Sequence, residues 1–209
     1  QIYGQKLDSD GNRHWHNTGL QISQGIGEDR LQGIFNTGQN EFIIAWTNGP
    51  SAFTETNIYI QKIDDPGNKK WSPSGAPICV SAGNQYYCSM ISDNNSGAIL
   101  VWEDRRTSEA DIYAQRIDSI GVIKWQVNGI PVCNKAGYQL QPRILTDEND
   151  GAIVCWQEMD NNNSNIYAQR IDKDGLLKWE TEGSPVSIST AAHIVMINDN
   201  RGGAIISWD

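Results

Sequence analysis

The side chains best suited to binding a ligand are tyrosines that stand next to amides. Tyr86 and Tyr87 follow Gln85 in the stretch SAGNQYYC, and Tyr138 precedes Gln139 in NKAGYQLQPR. Tyrosine rings offer flat faces on which a sugar or a peptide can stack, and amides offer donors and acceptors that orient it. We predict that these five residues belong to a ligand-binding surface. The remaining members of the predicted site are Asp104, Arg105, Arg143 and His193.

Carboxylates and histidines occur in patterns that could hold a metal ion, but each pattern has a simpler explanation. The turns DSDG and DKDG carry two carboxylates each, whereas the sister turns DDPG and DSIG lack the second one at that position. Calcium takes about six to eight oxygen ligands, and hairpin formation explains the Asp and Gly without it. His14 and His16 share one side of a predicted strand, but no third zinc ligand is evident. We predict no metal site and no cofactor.

The predicted site residues are attached to a repeated sequence. The phrase DIYAQRID at 111–118 recurs as QIYGQKLD, NIYIQKID and NIYAQRID. The interval is about 54 residues, and all eight tryptophans fall on it, two in each copy. A residue used so regularly fills the same packing position each time, so we predict that the tryptophans are structural. The copies lie at about 2–57, 58–111, 112–165 and 166–209.

One copy can be divided into four strands, here called a, b, c and d. In the third copy they are QPRILTD (141–147), GAIVCWQE (151–158), NIYAQRID (165–172) and LLKWETEG (176–183). Short turns containing Asp and Gly join a to b and c to d, so neighbouring strands are antiparallel. Strand b is apolar on both faces, as radially packed blades require. We predict an all-β protein, a β-propeller of four-stranded antiparallel blades that forms a single domain over 1–209.

The chain starts in strand c of one copy and reaches strand b of another at its end. QIYGQKLD and GGAIISWD would then share one split blade, which closes the ring and hides the last strand edges. We predict four blades, the fourth being this split closing blade. A larger ring, of which these four blades form a part, is the alternative, and the chain itself is a mature product or a piece of a longer polypeptide.

The repeat also carries a resemblance to known propeller families. IYAQRIDKDGLLKW is distantly similar to the repeat of PQQ-type propellers, although its turn is one residue shorter and lacks the threonine. The pattern GAIVCWQE…NIYAQRID..G…W…G.PV resembles tandem propeller repeats of secreted bacterial and archaeal proteins. The resemblance covers the whole chain. It implies a β-propeller fold and an extracellular or cell-surface location, and it says almost nothing about activity.

Composition excludes several classes of partner. Acidic residues outnumber basic ones by 25 to 16, for a net charge of −9, so nucleic acid and anionic membrane surfaces are not expected partners. No apolar run approaches the roughly 18 residues of a membrane span, and we predict no membrane insertion. The four cysteines are too few for a disulfide framework in a chain this long, and unpaired buried thiols are favoured over a Cys79–Cys88 bridge.

The loops that join strand b to c and strand d to a emerge at the same end of each predicted blade. They are long and differ between copies, so we expect function on this loop face. The alternative for Tyr86, Tyr87 and Tyr138 is that their rings fill joints between blades. Asp104 and Arg105 have an alternative of their own, a solvated ion-pair cluster of little energetic weight.

The sequence offers no catalytic constellation. Glycosidases use paired carboxylates, which a propeller would present from its innermost strands, yet the predicted inner strands carry Arg143 as their one charge. No Ser or Cys stands near a His in a recognisable nucleophile–base motif. We therefore predict a secreted binding module that is not an enzyme, with a glycan or a protein as its partner. A purely structural repeat of a larger surface or fibrous assembly is the alternative, and a propeller hydrolase is favoured least.

Overall fold

The computed structural model describes residues 1–50, 55–160, 163–187 and 190–209, in which every regular element is a β-strand. The N-terminal half-blade pairs β1 (Tyr3–Gly4) with β2 (Leu20–Gln21). The first blade contains β3 (Glu28–Asn36), β4 (Glu41–Gly49), β5 (Asn57–Asp64) and β6 (Ala76–Cys79). The second contains β7 (Gln85–Ser92), β8 (Ala98–Asp104), β9 (Asp111–Ile117) and β10 (Ile130–Cys133). The third contains β11 (Tyr138–Thr146), β12 (Ala152–Asp160), β13 (Asn163–Ile171) and β14 (Ser184–Pro185). The C-terminal half-blade pairs β15 (Val195–Asn198) with β16 (Ala204–Ser207).

Each blade is an antiparallel sheet whose neighbouring strands are also neighbours in sequence, as predicted. The tryptophan of its second strand lies opposite the tyrosine of its third strand. In the second blade Trp102 pairs with Tyr113, and the rings stack with centroids 6.4 Å apart. The following turn uses the expected chemistry, because the Asp118 carboxylate accepts hydrogen bonds from the backbone of Ile120 and Val122. The repeated Trp, Tyr and Asp are therefore structural residues.

Apolar clusters between successive sheets hold the blades together. One cluster joins the first blade to the second and includes Trp71 and Trp102, and three further clusters join the other neighbours. Three tryptophans that precede a fourth strand, Trp15, Trp71 and Trp125, reach across to the next blade. The indole N–H of Trp71, for example, donates to the Ser119 carbonyl at 3.3 Å. The first strands β3, β7, β11 and β15 lie side by side in that order. This is the radial packing of propeller blades.

The fourth strand of each blade lies later in the chain than predicted. In the third copy it was expected at 176–183, whereas β14 covers Ser184–Pro185. The predicted segment is a turn in which Leu177 forms an isolated bridge to Ile171 and Gly183 takes a φ of +96°. In the first and second blades the tryptophan of this turn, Trp71 or Trp125, packs against the next blade and donates its indole N–H to a carbonyl there. Trp179 of the third blade is 39% exposed.

The predicted pairing of the chain ends is absent from the described residues. β1 and β2 form one separate sheet, and β15 and β16 form another. The side chains that would meet in a shared blade are accordingly exposed, Tyr3 to 54% and Trp208 to 39%. Each half-blade instead packs by one face against the complete blade next to it in the chain.

All four cysteines are free and buried, as favoured from the sequence. Burial raises the pKa of Cys88 and of Cys155 to about 12. These thiols are therefore protonated and unreactive at neutral pH. In the part of the chain that the structure describes, no helix is long and apolar enough to cross a membrane.

Candidate functional site

A cleft of about 530 Å³ opens between the first and second blades. Its lining residues are Arg30, Gln32, Thr47, Thr56, Asn84, Tyr86, Tyr87 and Arg105. Three of them, Tyr86, Tyr87 and Arg105, belong to the site predicted from the sequence. We call this feature the tyrosine cleft. It combines aromatic rings with two cationic side chains and several neutral polar groups, which is the chemistry of a polar-ligand site.

A bulge in β7 brings two successive tyrosines to the same cleft. Side chains normally alternate between the faces of a strand, but the register of β7 against β8 shifts between Tyr86 and Ser89. Tyr87 takes a φ of +47° at this point, and its ring meets that of Tyr86 edge to face at 6.4 Å. Tyr87 is 59% exposed, so its ring is open to a ligand.

Arg105 connects these rings to the third predicted tyrosine. Its guanidinium carbon lies 6.0 Å from the centre of the Tyr86 ring and 5.9 Å from that of Tyr138, within the range of cation–π attraction. Tyr138 begins β11 of the third blade and is 43% exposed. The structure thus places Tyr86 and Tyr138 around one cation, and Tyr87 lies against Tyr86.

A buried carboxylate lies on β8, the strand that pairs with the tyrosine-bearing strand β7. Glu103 is directly opposite Tyr86 in the sheet and is 1% exposed. Its Oε1 accepts a hydrogen bond from the Gln141 backbone N–H at 2.7 Å, while its Oε2 has no hydrogen-bond partner among the described residues. That free oxygen lies 4.0 Å from the Arg105 guanidinium.

Burial raises the pKa of the Glu103 carboxyl above its usual range, because removal from water disfavours the charged form. The Gln141 N–H and the Arg105 charge act in the opposite direction but do not cancel it. A carboxyl with a raised pKa holds its proton to a higher pH than an exposed glutamate does, and an oxygen without a hydrogen-bond partner can deliver that proton. Of the described residues, this is the group beside the cleft that is best suited to acid catalysis.

Glu103 was not among the predicted site residues, because paired glycosidase carboxylates were expected on the first strand of each blade. Glu103 lies instead on β8, within the apolar stretch AILVWED. A usable signal was present at this position, since the residue after the second-strand tryptophan is polar in every copy. These residues are Thr47, Glu103, Gln157 and Asp209.

The two predicted glutamines brace loops and do not line the cleft. Gln85 and Gln139 are fully buried. The Gln139 side chain donates to the Lys135 carbonyl at 3.2 Å, and the backbone N–H of Gln139 donates to the Ala110 carbonyl at 2.7 Å. They tie the loop before each first strand to the preceding blade.

Asp104 belongs to a buried structural ion pair. It is fully buried and accepts from the Trp102 indole at 2.8 Å and from the Arg106 guanidinium at 2.6 Å. Arg106 in turn lies 3.9 Å from the centre of the Tyr113 ring. With its oxygens occupied in this way, Asp104 has a structural role, unlike its neighbour Arg105.

The last two predicted residues are outside the tyrosine cleft. Arg143 lies opposite Cys155 in the third blade, and its side chain is exposed. His193 precedes β15, and its Nδ1 lies 2.7 Å from the Asp209 carboxylate. The predicted site therefore divides into two groups. Tyr86, Tyr87 and Arg105 line the cleft, with Tyr138 nearby. The other predicted residues, Gln85, Gln139, Asp104, Arg143 and His193, do not line it.

The carboxylates of the acidic turns accept hydrogen bonds from the backbone of the same turn. Hydrogen bonds from the side chain and backbone of Asn12 lower the pKa of Asp8 to about 2. Asp172 accepts from the backbone of Asp174 and Leu176 in the same way. Within the four described ranges, no group of three or more His, Cys, Asp and Glu side chains is arranged to hold a metal ion.

Comparisons with known proteins identify a fold. No family model matches the chain, and no curated protein matches it. The crystal structure of a thermostable family-43 glycoside hydrolase is similar over 85% of this chain and 64% of its own, with 12% identity and a TM-score of 0.53. An endo-arabinase from Bacteroides thetaiotaomicron VPI-5482 is similar over 84% of this chain and 68% of its own, with 14% identity and a TM-score of 0.42. The first likeness and the four-stranded antiparallel sheets confirm the predicted β-propeller class.

The prediction that the chain is a non-catalytic binding module, and not an enzyme, is wrong. The solved structure that shares its fold is a glycoside hydrolase. The prediction considered carboxylates on the first strands of the blades, and the buried carboxyl of Glu103 lies on the neighbouring strand β8.

Proposed function

We propose that this propeller hydrolyses a glycosidic bond in a saccharide bound at the tyrosine cleft, with Glu103 as the proton donor. The observation that carries the proposal is the Oε2 of Glu103, which is buried on β8 opposite Tyr86 and has no hydrogen-bond partner among the described residues. Burial keeps this carboxyl protonated to a higher pH than an exposed glutamate. A protonated carboxyl is what the departure of a glycosidic oxygen requires.

The cleft walls support a saccharide as the ligand. Tyr86 and Tyr87 offer ring faces for stacking on the apolar side of a sugar. Arg30, Gln32 and Thr47 line the same space with donors and acceptors, which suits hydroxyl groups. None of the described lining residues is acidic, so the proposal assigns a proton donor and takes water as the nucleophile. Water adds to the anomeric carbon as the glycosidic oxygen leaves with the Glu103 proton, and the proton that the added water loses returns to Glu103 through solvent.

The decisive experiment compares the chain with a Glu103→Gln variant on a panel of aryl glycosides and on arabinan and xylan. We expect the variant to lose about 100-fold or more in kcat on substrates with poor leaving groups. Activity on dinitrophenyl glycosides should be largely retained, because such leaving groups depart without protonation. Glu148→Gln, in an exposed turn, is the matched control and should behave like the parent chain.

Two results would overturn the proposal. One is that no substrate of the panel is hydrolysed above the uncatalysed rate. The other is an equal loss for all leaving groups in a Glu103→Gln variant that melts at the same temperature as the parent. The second result would indicate that Glu103 positions the cleft and does not donate a proton.

We also propose that the two half-blades complete a fourth blade, as the sequence predicts. Its support is their composition, since β1–β2 supplies the third and fourth strands and β15–β16 the first and second. The extracellular location and the four-copy division of the domain remain proposals supported by the repeat itself. The first of these is testable by locating the protein in fractionated cultures of its source.

A further inference from the structure

We propose that the saccharide bound at the tyrosine cleft is acidic, and that Arg105 and Arg30 bind the carboxylate or sulfate ester that one of its sugars carries. The proposal rests on the hydrolase proposed above and adds the chemical class of its substrate. A neutral sugar needs only groups that bind hydroxyls, whereas the cleft contains two guanidinium groups. The donors of a guanidinium form a planar fork that matches the paired oxygens of such anions.

The charge of the cleft lining is opposite to that of the whole chain. The chain has 25 acidic and 16 basic residues, for a net charge of −9. Of the described lining residues, Arg30 and Arg105 are cationic and none is acidic. The segments 51–54, 161–162 and 188–189, which lie outside the described residues, contain no Asp or Glu. The cleft is therefore a positive site on a negative protein, and it favours an anion over a neutral ligand.

The repeat requires neither of these two arginines. Arg30 lies on β3 of the first blade, and Arg105 lies in the loop after β8 of the second blade. The matching positions of the other complete blades hold uncharged residues, which are Tyr86 and Leu140 for Arg30, and Gly49 and Met159 for Arg105. Two separate departures from the repeat thus bring a positive charge to the same cleft, one from each blade.

Both positive charges act on the Tyr86 hydroxyl. Burial raises the pKa of this phenol, and the charges of Arg105 and Arg30 act in the opposite direction. Charges that act on one hydroxyl are also placed to act together on one bound anion. The Tyr86 ring offers a face for the sugar that carries the anion.

The guanidinium of Arg105 is positioned by rings and is not neutralised. It lies between the Tyr86 and Tyr138 rings, at 6.0 and 5.9 Å from their centres. Its Nε is buried and has no hydrogen-bond partner among the described residues. The Glu103 carboxyl is 4.0 Å away, beyond hydrogen-bond reach, and burial holds it protonated to a higher pH than an exposed glutamate. The Arg105 side chain is 38% exposed, so an anion in the cleft can reach it.

The next residue in the loop, Arg106, has the contacts of a structural arginine. It donates to the Asp104 carboxylate at 2.6 and 2.8 Å and to the Asn128 carbonyl at 2.8 Å. It does not line the cleft. Arg106 therefore contributes to folding, whereas Arg105 has no comparable partner among the described residues and is left to a ligand.

Binding of matched acidic and neutral saccharides tests the proposal on the unmodified chain. The probes are trimers of galacturonic, glucuronic and mannuronic acid, each beside its methyl ester, and a sulfated carrageenan tetrasaccharide beside its desulfated form. In calorimetric titrations at low salt, we expect at least one acid to bind about 10-fold or more tightly than its neutral partner. The preference should shrink as NaCl is raised from about 20 to about 500 mM, because salt screens the charges. The pair that shows the preference distinguishes a uronic acid from a sulfated sugar.

Three arginine variants test whether the preference arises at the cleft. Arg105→Gln should lose most of the preference and leave the affinity for the neutral form nearly unchanged, because it removes the charge and keeps a polar side chain. Arg105→Lys keeps the charge without the planar fork and should retain part of the preference. Arg201→Gln, in an exposed turn, removes the same charge elsewhere and should bind like the parent. Melting temperatures of the variants check that they fold. Where the parent hydrolyses a probe, the titration is repeated in the Glu103→Gln background.

Several results would overturn the acidic substrate. They are equal affinity of every acid and its neutral partner in the parent chain, no binding of any probe, an equal loss for both forms in a normally folded Arg105→Gln chain, and the same loss of preference in Arg201→Gln. Hydrolysis of neutral glycosides without a preference for acids in binding would keep the hydrolase and overturn the acidic class. A preference for acids in binding, with no hydrolysis of any saccharide, would keep the anion site and overturn the hydrolase.

Discussion

The second blade and the terminal half-blades carry the same repeat, but only the second blade buries it. Trp102 and Tyr113 are 0% and 9% exposed, whereas Trp208 and Tyr3, at the same repeat positions, are 39% and 54% exposed. Both regions form their hairpins, because turn residues and strand propensity act locally. Burial depends on a neighbouring strand and a neighbouring blade, which the repeat cannot supply by itself. One side chain can thus be a major or a minor contributor to stability according to its neighbours.

The largest expected effect is the loss of a buried tryptophan. Trp102→Ala should lower the free energy of unfolding by about 3–5 kcal/mol, because it removes a fully buried ring and leaves a cavity. Trp208→Ala should cost about 1 kcal/mol or less, since much of its surface is already in water. Urea denaturation of both variants measures the two free energies of unfolding. Equal losses would show that Trp208 is buried within a single chain.

The fold class was predictable because the signals that specify it are local and repeated. Asp118 and Gly121 form the turn that their types indicate, and the apolar second strand is buried on both faces. The fourth strand was misplaced because the sequence 176–183 is dominated by a tryptophan that resembles a strand residue. In the earlier copies the role of this tryptophan is contact with the next blade, as for Trp71 and Trp125. That is a long-range packing fact that sequence spacing does not contain.

A smaller contrast is expected at the turn carboxylates. Asp147 is fully buried, and besides its backbone bonds it pairs with Arg170 at 2.8 Å. Asp147→Ala should cost about 3 kcal/mol, because it leaves the Arg170 charge without its partner. Asp199→Ala removes only hydrogen bonds within its own turn and should cost about 1 kcal/mol. Comparison of the two urea midpoints tests this, and a larger loss for Asp199 would contradict it.

Two glycines with positive φ, Gly129 and Gly11, should differ by about 1–3 kcal/mol in the free energy of unfolding that their replacement by alanine costs. Gly129→Ala places a Cβ 2.6 Å from the Trp102 ring at a φ of +90°, so it combines overpacking with backbone strain. Gly11→Ala has a similar φ of +84° but nothing within 4 Å, so backbone strain alone remains, at about 1 kcal/mol. The difference between the two melting curves isolates the effect of the contact between the added Cβ and the Trp102 ring. Identical curves would mean that the ring moves aside without cost.

The candidate site was less predictable than the fold. Tyr86, Tyr87 and Tyr138 were identified because they break the repeat. The structure places Tyr86 and Tyr138 around Arg105, with Tyr87 against Tyr86. Glu103 was missed because its position is defined by burial and by the Gln141 N–H of another blade. Such a partner lies about 38 residues away in sequence and becomes visible only when the blades are packed.

The smallest expected effect is a pH dependence that separates Glu103 from its neutral counterpart in the third blade. Gln157 holds the same repeat position and donates to the Ser164 hydroxyl at 2.5 Å, so it contributes no titration.

Burial raises the pKa of Glu103 in the folded chain above the ordinary value of 4.5. As the pH rises past that value, the unfolded chain releases its proton before the folded chain does. The free energy of unfolding of the parent must therefore fall relative to that of Glu103→Gln. The fall starts near pH 4.5 and levels off above the raised pKa. Urea denaturation of both proteins across this range measures the difference. A difference that stays constant or grows with pH would show that Glu103 is charged as readily in the fold as in water.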